Sequence, residues 1–271
     1  FDNGMVLGLI GNYKYSNRWV NVDKDFRRYE FTGVDGGSNQ TVQYDRFITT
    51  QNVDISAFGN VGLELDENNS VTFTAAKLKQ TTDQVQQDKG LSSEDNVANG
   101  TPVESYLLQY TENQIESYQL SGSHYLTFLN DTLFEWRAID GTGKRDAPDV
   151  RSYTYAENND GQMEMVYSGS QAAGDLRDVY QAPERSYSKL KDGINEYGFD
   201  FEVPFTVLNI DTVFSAGYSD YDRTRKSNDR LFRFDITSRA PDYVPRETPS
   251  QLFGDQNWID QYVSIRDFSN S

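Results

Sequence analysis

Few side chains in this chain are equipped for covalent or metal chemistry. His124 is the single histidine and cysteine is absent. A Ser–His–Asp triad or a His–carboxylate metal site would therefore have to use His124. It falls beside a tight turn at a strand end, where it reads as a solvated turn residue. The lack of cysteine excludes a disulfide scaffold, a thiolate zinc site and a thiol nucleophile. Asp66-x-Asn68-x-Ser70 opens like a calcium loop, but Val71 stands where glycine is required and Lys77 where the closing glutamate belongs. It reads as a hairpin turn. Asn158-Asn159-Asp160-Gly161 is a turn signal, and the sequons at Asn39, Asn68, Asn99 and Asn130 are common by chance in an Asn-rich chain. No catalytic residue, metal ligand or cofactor site is assigned, and the chain does not read as an enzyme.

Binding chemistry is better represented. Glu135, Arg137, Glu196, Asp200 and Glu202 alternate with bulky aromatics on their strands, as expected of a hydrated wall that forms charge pairs. Tyr13, Tyr15, Tyr106, Tyr110 and Tyr118 suit an interfacial girdle, having a ring with one polar end. Asp88, Glu94, Asp95, Asp149, Glu157, Asp160 and Asp175 are expected in acidic loops, as solvated surface or as a site for a cationic or chelated-metal ligand. Tyr side chains and Trp258 are compatible with stacking on sugars. Which residues bind a substrate is not legible.

These residues must be positioned by strands. From Val53 the odd positions run Val53, Ile55, Ala57, Gly59, Val61, Leu63, and the even ones Asp54, Ser56, Phe58, Asn60, Gly62, Glu64. The same period of two recurs at Val71–Ala75, Tyr106–Gly122, Phe134–Ala138, Tyr197–Val203 and Phe214–Tyr218. Aromatic residues make up 14% of the 271 residues and proline only 7 positions, which favours strands over helices. No eighteen-residue apolar window exists and mean hydropathy is −0.73, so a transmembrane helix is excluded. A transmembrane β-barrel is not, because only every second residue of its strands faces lipid. With 42 acidic against 25 basic side chains the formal charge is −17, which argues against a nucleic-acid partner.

The connections sharpen the reading. Tight hairpins are expected at Asp66–Asn69, near Asn130-Asp131, and from Pro204 to Asn209. Between them lie polar stretches from Ser16 to Gln43, Thr81 to Val103, Asp140 to Glu184, and Asp235 onward, which read as long loops. Strict alternation of short and long connections suits a barrel with short turns on one side and long loops on the other. No proline falls inside the central strand cores, so continuous ladders are expected. The opening at Phe1 and the close at Ser271 both read as cut, so residues 1–271 are expected to be a fragment of a longer protein or a mature product trimmed of its targeting segment.

Several segments resemble one family. Tyr110-Thr111-Glu112 with Tyr118-Gln119-Leu120-Ser121-Gly122-Ser123-His124 is similar to a barrel hairpin of TonB-dependent outer-membrane receptors. Leu133-Phe134-Glu135-Trp136-Arg137-Ala138 resembles that family's Trp-Arg-Ala strand. Arg145-Asp146-Ala147-Pro148-Asp149-Val150-Arg151 resembles the Asp-x-Pro-Asp-x-Arg stretch that follows it. The likeness covers roughly Val53 to Ile236. It implies an all-β, antiparallel up-and-down meander, part of a plugged 22-stranded transmembrane barrel, of which about seven long strands are present. The family's N-terminal plug, its TonB-contacting box and its C-terminal strands have no counterpart here. The resemblance further implies the outer membrane of a Gram-negative bacterium, with membrane lipid as partner. It implies an extracellular ligand such as a siderophore, metal chelate or oligosaccharide, and a TonB complex reached through the missing plug. A diffusion porin and a secreted β-sandwich that binds polysaccharide are the competing readings.

Overall fold

The computed structural model describes residues 4–32, 37–93, 100–167 and 183–268. The elements follow from the alternation. They are β1 (Val6–Thr32), β2 (Gly37–Asp66), β3 (Asn69–Ser92), β4 (Thr101–Leu126), β5 (Thr132–Glu157), β6 (Met163–Met165), β7 (Glu184–Val207), β8 (Ile210–Ile236) and β9 (Val263–Asp267). They form one antiparallel up-and-down sheet in the order β1-β2-β3-β4-β5-β7-β8-β9, with β6 beside β5. The sheet is open. Among the described residues β1 pairs only with β2, and β8 meets β9 only over Phe232–Ile236.

The seven long strands run from 24 to 30 residues, against roughly five or six for an ordinary strand. This corrects the expected loops. Most of Ser16–Gln43, Thr81–Val103 and Asp140–Glu157 is strand. Apolar residues such as Trp19, Val20, Val22 and Phe26 fall on both faces among polar ones, so no clean alternation of hydropathy marks these segments, yet the backbone ladder needs none. Long and short connections do not alternate strictly either. Residues 33–36 suffice between β1 and β2, whereas 158–183 and 237–262 are long. The last hairpin is tighter than expected: β7 continues through Pro204 to Val207, leaving Leu208 and Asn209 as the turn.

Proline also interrupts a strand. Pro148 lies in β5 where the register breaks between Ala147 and Val150, since a residue without an N–H is tolerated at such an irregularity. Two small cores sit at the long-loop end. One joins Val42 and Tyr44 to Val103, Ala156 and Val166. In the other, residues 240–263, including two short helices (α1, Pro249–Leu252; α2, Asp255–Ile259), pack Val244, Leu252 and Val263 onto Met165, Tyr153, Tyr155 and Phe234. Phe1, Glu94, Asp95, Asn99, Asp175 and Ser271 lie outside the described residues.

Candidate functional site

Residues paired directly across strands point to the same face, so the register sorts the side chains of the long strands into two sets. One face carries Leu7, Leu9 and Tyr13 of β1, with Ile55, Val61 and Leu63 of β2 and Val71 and Phe73 of β3. It continues with Tyr118 and Leu120 of β4, Phe134 and Trp136 of β5, Phe199, Phe201 and Val203 of β7, and Phe214 and Tyr218 of β8. This belt lies in the half of the sheet nearest the tight turns, and it is uncovered. Leu9 is 68% exposed, Tyr197 59% and Phe214 59%. Soluble monomers rarely leave an apolar surface of this extent open.

The belt crosses the strands on a diagonal. Its unbroken apolar run toward the long-loop end stops at Tyr15 on β1, Val53 on β2, Ala75 on β3, Tyr118 on β4, Ala138 on β5, Tyr197 on β7 and Tyr218 on β8, with Trp19 following on β1 beyond Asn17. The pairing row through Tyr15 runs Ile55, Lys79, Gln114, Lys144, Lys191 and reaches β8 at Lys226, eight residues beyond Tyr218. Eight residues are about 27 Å along a strand, and six strand-to-strand steps are about 29 Å across. The strands therefore tilt by about 43° from the normal to the line that bounds the belt. Transmembrane barrel strands tilt about 35–45° to the membrane normal, and the belt gives that angle with no barrel assumed.

Aromatic rings reinforce the belt close to the turns. Phe134 stacks on His124 at 6.2 Å and on Phe201 at 4.6 Å, Phe201 meets Phe199 at 5.7 Å, and Phe199 meets Tyr218 at 5.8 Å. Trp136 lies over Gly122, where a Cβ would come within 2.4 Å of the indole nitrogen. That nitrogen donates to His124 Nε2 at 3.0 Å, and His124 Nδ1 bonds Asn69 Oδ1 at 2.8 Å. With Nε2 accepting, Nδ1 carries the proton and donates. His124 thus ties a turn to the aromatic row. Tyr13, Tyr15 and Tyr118 stand at or near the belt's edge toward the long-loop end. Tyr110 and Tyr106 share the face but lie further along β4, outside the belt, where Tyr106 stacks on Tyr153 at 5.0 Å.

The opposite face is polar at the same level. Arg137 Nε and Nη1 reach Glu196 and Asp200 at 2.9 Å each, Asn60 donates to Thr74 at 2.7 Å, and Glu135 pairs across from Asp200. Glu202 shares this face through its pairing with Leu133. A groove of about 220 Å³ opens here, lined by Thr72, Ser121, Glu135, Arg137 and Asp200 among others. The apolar departures on this face include Ile10 with its diagonal neighbour Phe58, and the directly paired Leu78 and Ile115.

Of the acidic residues expected in loops, Asp160 lies in the loop after β5, whereas Asp88, Asp149 and Glu157 lie in strands. Asp88 is in β3, 5% exposed and held bidentately by Arg46 at 2.7 and 2.6 Å. Asp149 sits at the break in β5 between Arg151 and Arg185. Partial burial pushes its carboxyl up, but hydrogen bonds from the two guanidinium groups outweigh that and hold it at about 2. Neither carboxylate is free for an external cation, because each was matched to arginine by strand pairing that the linear sequence does not display. Asp66 caps its own turn, accepting from Asn68 N–H at 2.8 Å. Asn158 closes the loop after β5, its side-chain oxygen accepting from the Asp160 and Gln162 amides. Trp258 is partly buried against Phe234 and donates to the Phe253 carbonyl at 3.2 Å.

Sequence reasoning did not single out Lys144, Lys191 and Lys226. A partial signal was present, since Lys191 and Lys226 are equidistant from the Leu208-Asn209 turn and so must face each other in that hairpin. No family model matches this chain, and no curated protein matches it.

Proposed function

We propose that this chain is part of a β-barrel spanning a Gram-negative outer membrane and serving as a TonB-dependent receptor for uptake of an extracellular ligand. The observation that carries the membrane reading is the diagonal belt, which combines an exposed apolar surface, a polar reverse face and a strand tilt of about 43°. The hairpin motifs around Tyr110–His124, Trp136-Arg137-Ala138 and Asp146–Arg151 support the receptor reading over other barrels. On this reading the face bearing Arg137, Glu196 and Asp200 lines a hydrated lumen and contacts the plug. The free backbone edges of β1 and β8 continue into further strands. Uptake consists of ligand capture at the long-loop end and passage when the plug rearranges, with no covalent step. A siderophore, a metal chelate and an oligosaccharide all fit this reading.

The test is lipid contact. Spin labels at residues 199 and 200, in the full-length protein folded into phosphatidylcholine vesicles, are challenged with an apolar and a water-soluble relaxation agent. The apolar agent should reach 199 and the water-soluble one 200. Equal shielding of both labels from the apolar agent defeats the barrel. Planar-bilayer conductance then separates a plugged receptor, which stays closed, from a diffusion porin, which conducts continuously.

A further inference from the structure

Charged side chains on this sheet are matched across strands with some regularity. Lys77 pairs with Glu116 at 2.6 Å, Lys79 with Glu112 at 2.8 Å, Lys89 with Glu104 at 2.9 Å and Arg225 with Asp192 at 2.7 Å. One row breaks the pattern. Lys144 on β5, Lys191 on β7 and Lys226 on β8 are direct register partners on the belt face. All three are exposed, and none forms an ion pair among the described residues. Like charges directly opposite in a sheet are destabilising. Three in a row repel one another; Glu116 lies diagonal to Lys144 and offsets part of this, and an anion from outside the chain lying over the row would offset the rest. Their groove, about 460 Å³, also contains Lys189, whose ammonium is 3.6 Å from Asp146. Glu112 and Asp146 are the carboxylates in it, and each faces another lysine.

The position of the row indicates which anion. Lys144 and Lys191 lie six residues beyond the belt edge at Ala138 and Tyr197, and Lys226 lies eight beyond Tyr218. At the tilt derived above, six residues rise about 15 Å and eight about 20 Å along the membrane normal. Lysine side chains that lean back toward the belt recover about 6 Å of that. The ammonium groups then stand roughly 9–14 Å above the apolar edge. An ordinary phospholipid head group fills only about 5–8 Å there. A glycolipid with a phosphorylated oligosaccharide head group reaches the row while its acyl chains lie on the belt.

We infer that Lys144, Lys191 and Lys226 form a docking site on the outside of the barrel for the phosphate groups of a large glycolipid head group in the outer leaflet. This rests on the membrane reading above, and it concerns the lipid-facing surface, separate from ligand uptake. The site supplies three ammonium donors in one line, fixed by the ladder, and its affinity falls as salt rises.

The experiment uses the full-length protein in phosphatidylcholine vesicles containing lipopolysaccharide with a phosphorylated core, the same lipopolysaccharide after dephosphorylation, or phosphatidylglycerol. Bound lipid is measured by native mass spectrometry after extraction. The wild type should retain the phosphorylated glycolipid and neither of the others. Lys144→Gln/Lys191→Gln/Lys226→Gln together should weaken retention about a hundredfold, about fivefold for each lysine. K191E puts a carboxylate between the two remaining lysines. It should weaken retention about twenty-five-fold while melting no lower than wild type, which separates loss of the site from loss of the fold. A label at residue 199 reports lipid contact in every variant. Shielding of that label defeats the membrane reading. A lipid-exposed label with unchanged retention in K191E overturns the lysine site alone, as does equal retention of dephosphorylated lipopolysaccharide. Binding of soluble tripolyphosphate as tight as that of the glycolipid overturns the lipid as the source of the anion.

Discussion

Two glycines on the belt face make opposite demands although the chain treats them alike. Gly122 leaves the space that Trp136 fills, whereas a Cβ at Gly59 meets nothing within 4 Å. Gly122→Ala should therefore push the indole off its place and break its hydrogen bond to His124. The expected cost is about 1–3 kcal/mol, the usual range for overpacking, read as a fall in the urea midpoint and a shift in tryptophan emission. Gly59→Ala should be near neutral or slightly stabilising through reduced backbone freedom. Equal effects at the two sites would contradict the packing of Trp136. Asp149 sets a different expectation. Its carboxyl is held below its unfolded value, so its contribution is present above about pH 4 and is lost as pH falls toward 2. Solvent screening keeps that contribution to about 1 kcal/mol. Asp149→Asn should remove the dependence within that window and loosen the ends of β5 and β7, which amide exchange at Arg151 and Arg185 would register. An unchanged acid limb in the variant would sink the assignment.

At the scale of elements, turn geometry gives the sharpest expectation. Leu208 and Asn209 both have positive φ, 53° and 63°, the pattern of a two-residue hairpin in which Asn-Gly is favoured. Leucine is a poor occupant of that region. Replacing the pair by Asn-Gly should stabilise the β7–β8 hairpin by about 1 kcal/mol; a lower melting temperature would argue against the turn. Proline at 204 concealed this turn, because it suggested a loop beginning four residues before the strand ends. The same contrast explains what was legible. Tyr197–Val203 and Val53–Leu63 announce themselves because one face is apolar and the other polar. Residues 16–32 and 81–92 do not, because Asn17, Asn21 and Asp23 on one face of β1 alternate with residues such as Ser16, Arg18 and Lys24 on the other. Their strand is held by the ladder and by cross-strand partners such as Arg46 and Asp88, 42 positions apart. The polar wall residues Glu135, Arg137, Glu196 and Asp200 could be placed on one face by counting along strands. The matching of Asp149 to Arg185 could not, because it depends on the register across the long 158–183 connection.

On the scale of the whole sheet, tilt is the property that individual strands do not reveal and that a membrane would impose. The pairing row Leu9, Val61, Phe73, Leu120, Ala138, Tyr197 makes the consequence measurable. If the strands ran perpendicular to the belt edges, all six residues would share one depth. At 43° the five steps from β1 to β7, about 24 Å across the sheet, separate Leu9 from Tyr197 by about 16 Å along the membrane normal. That is more than half of a hydrocarbon core about 30 Å thick. Leu9 then lies close to the bilayer midplane and Tyr197 at the interface on the long-loop side. A fluorophore placed at each position, one at a time, and quenched by lipids with nitroxides at graded acyl depths, should give two depths, one near the midplane and one at the interface. Phe73, midway along the row, should fall between them. A soluble sheet would show no depth-dependent quenching at any of the three. Three equal depths would retain the membrane but reject the tilt, and with it the barrel geometry from which the height of the lysine row is calculated.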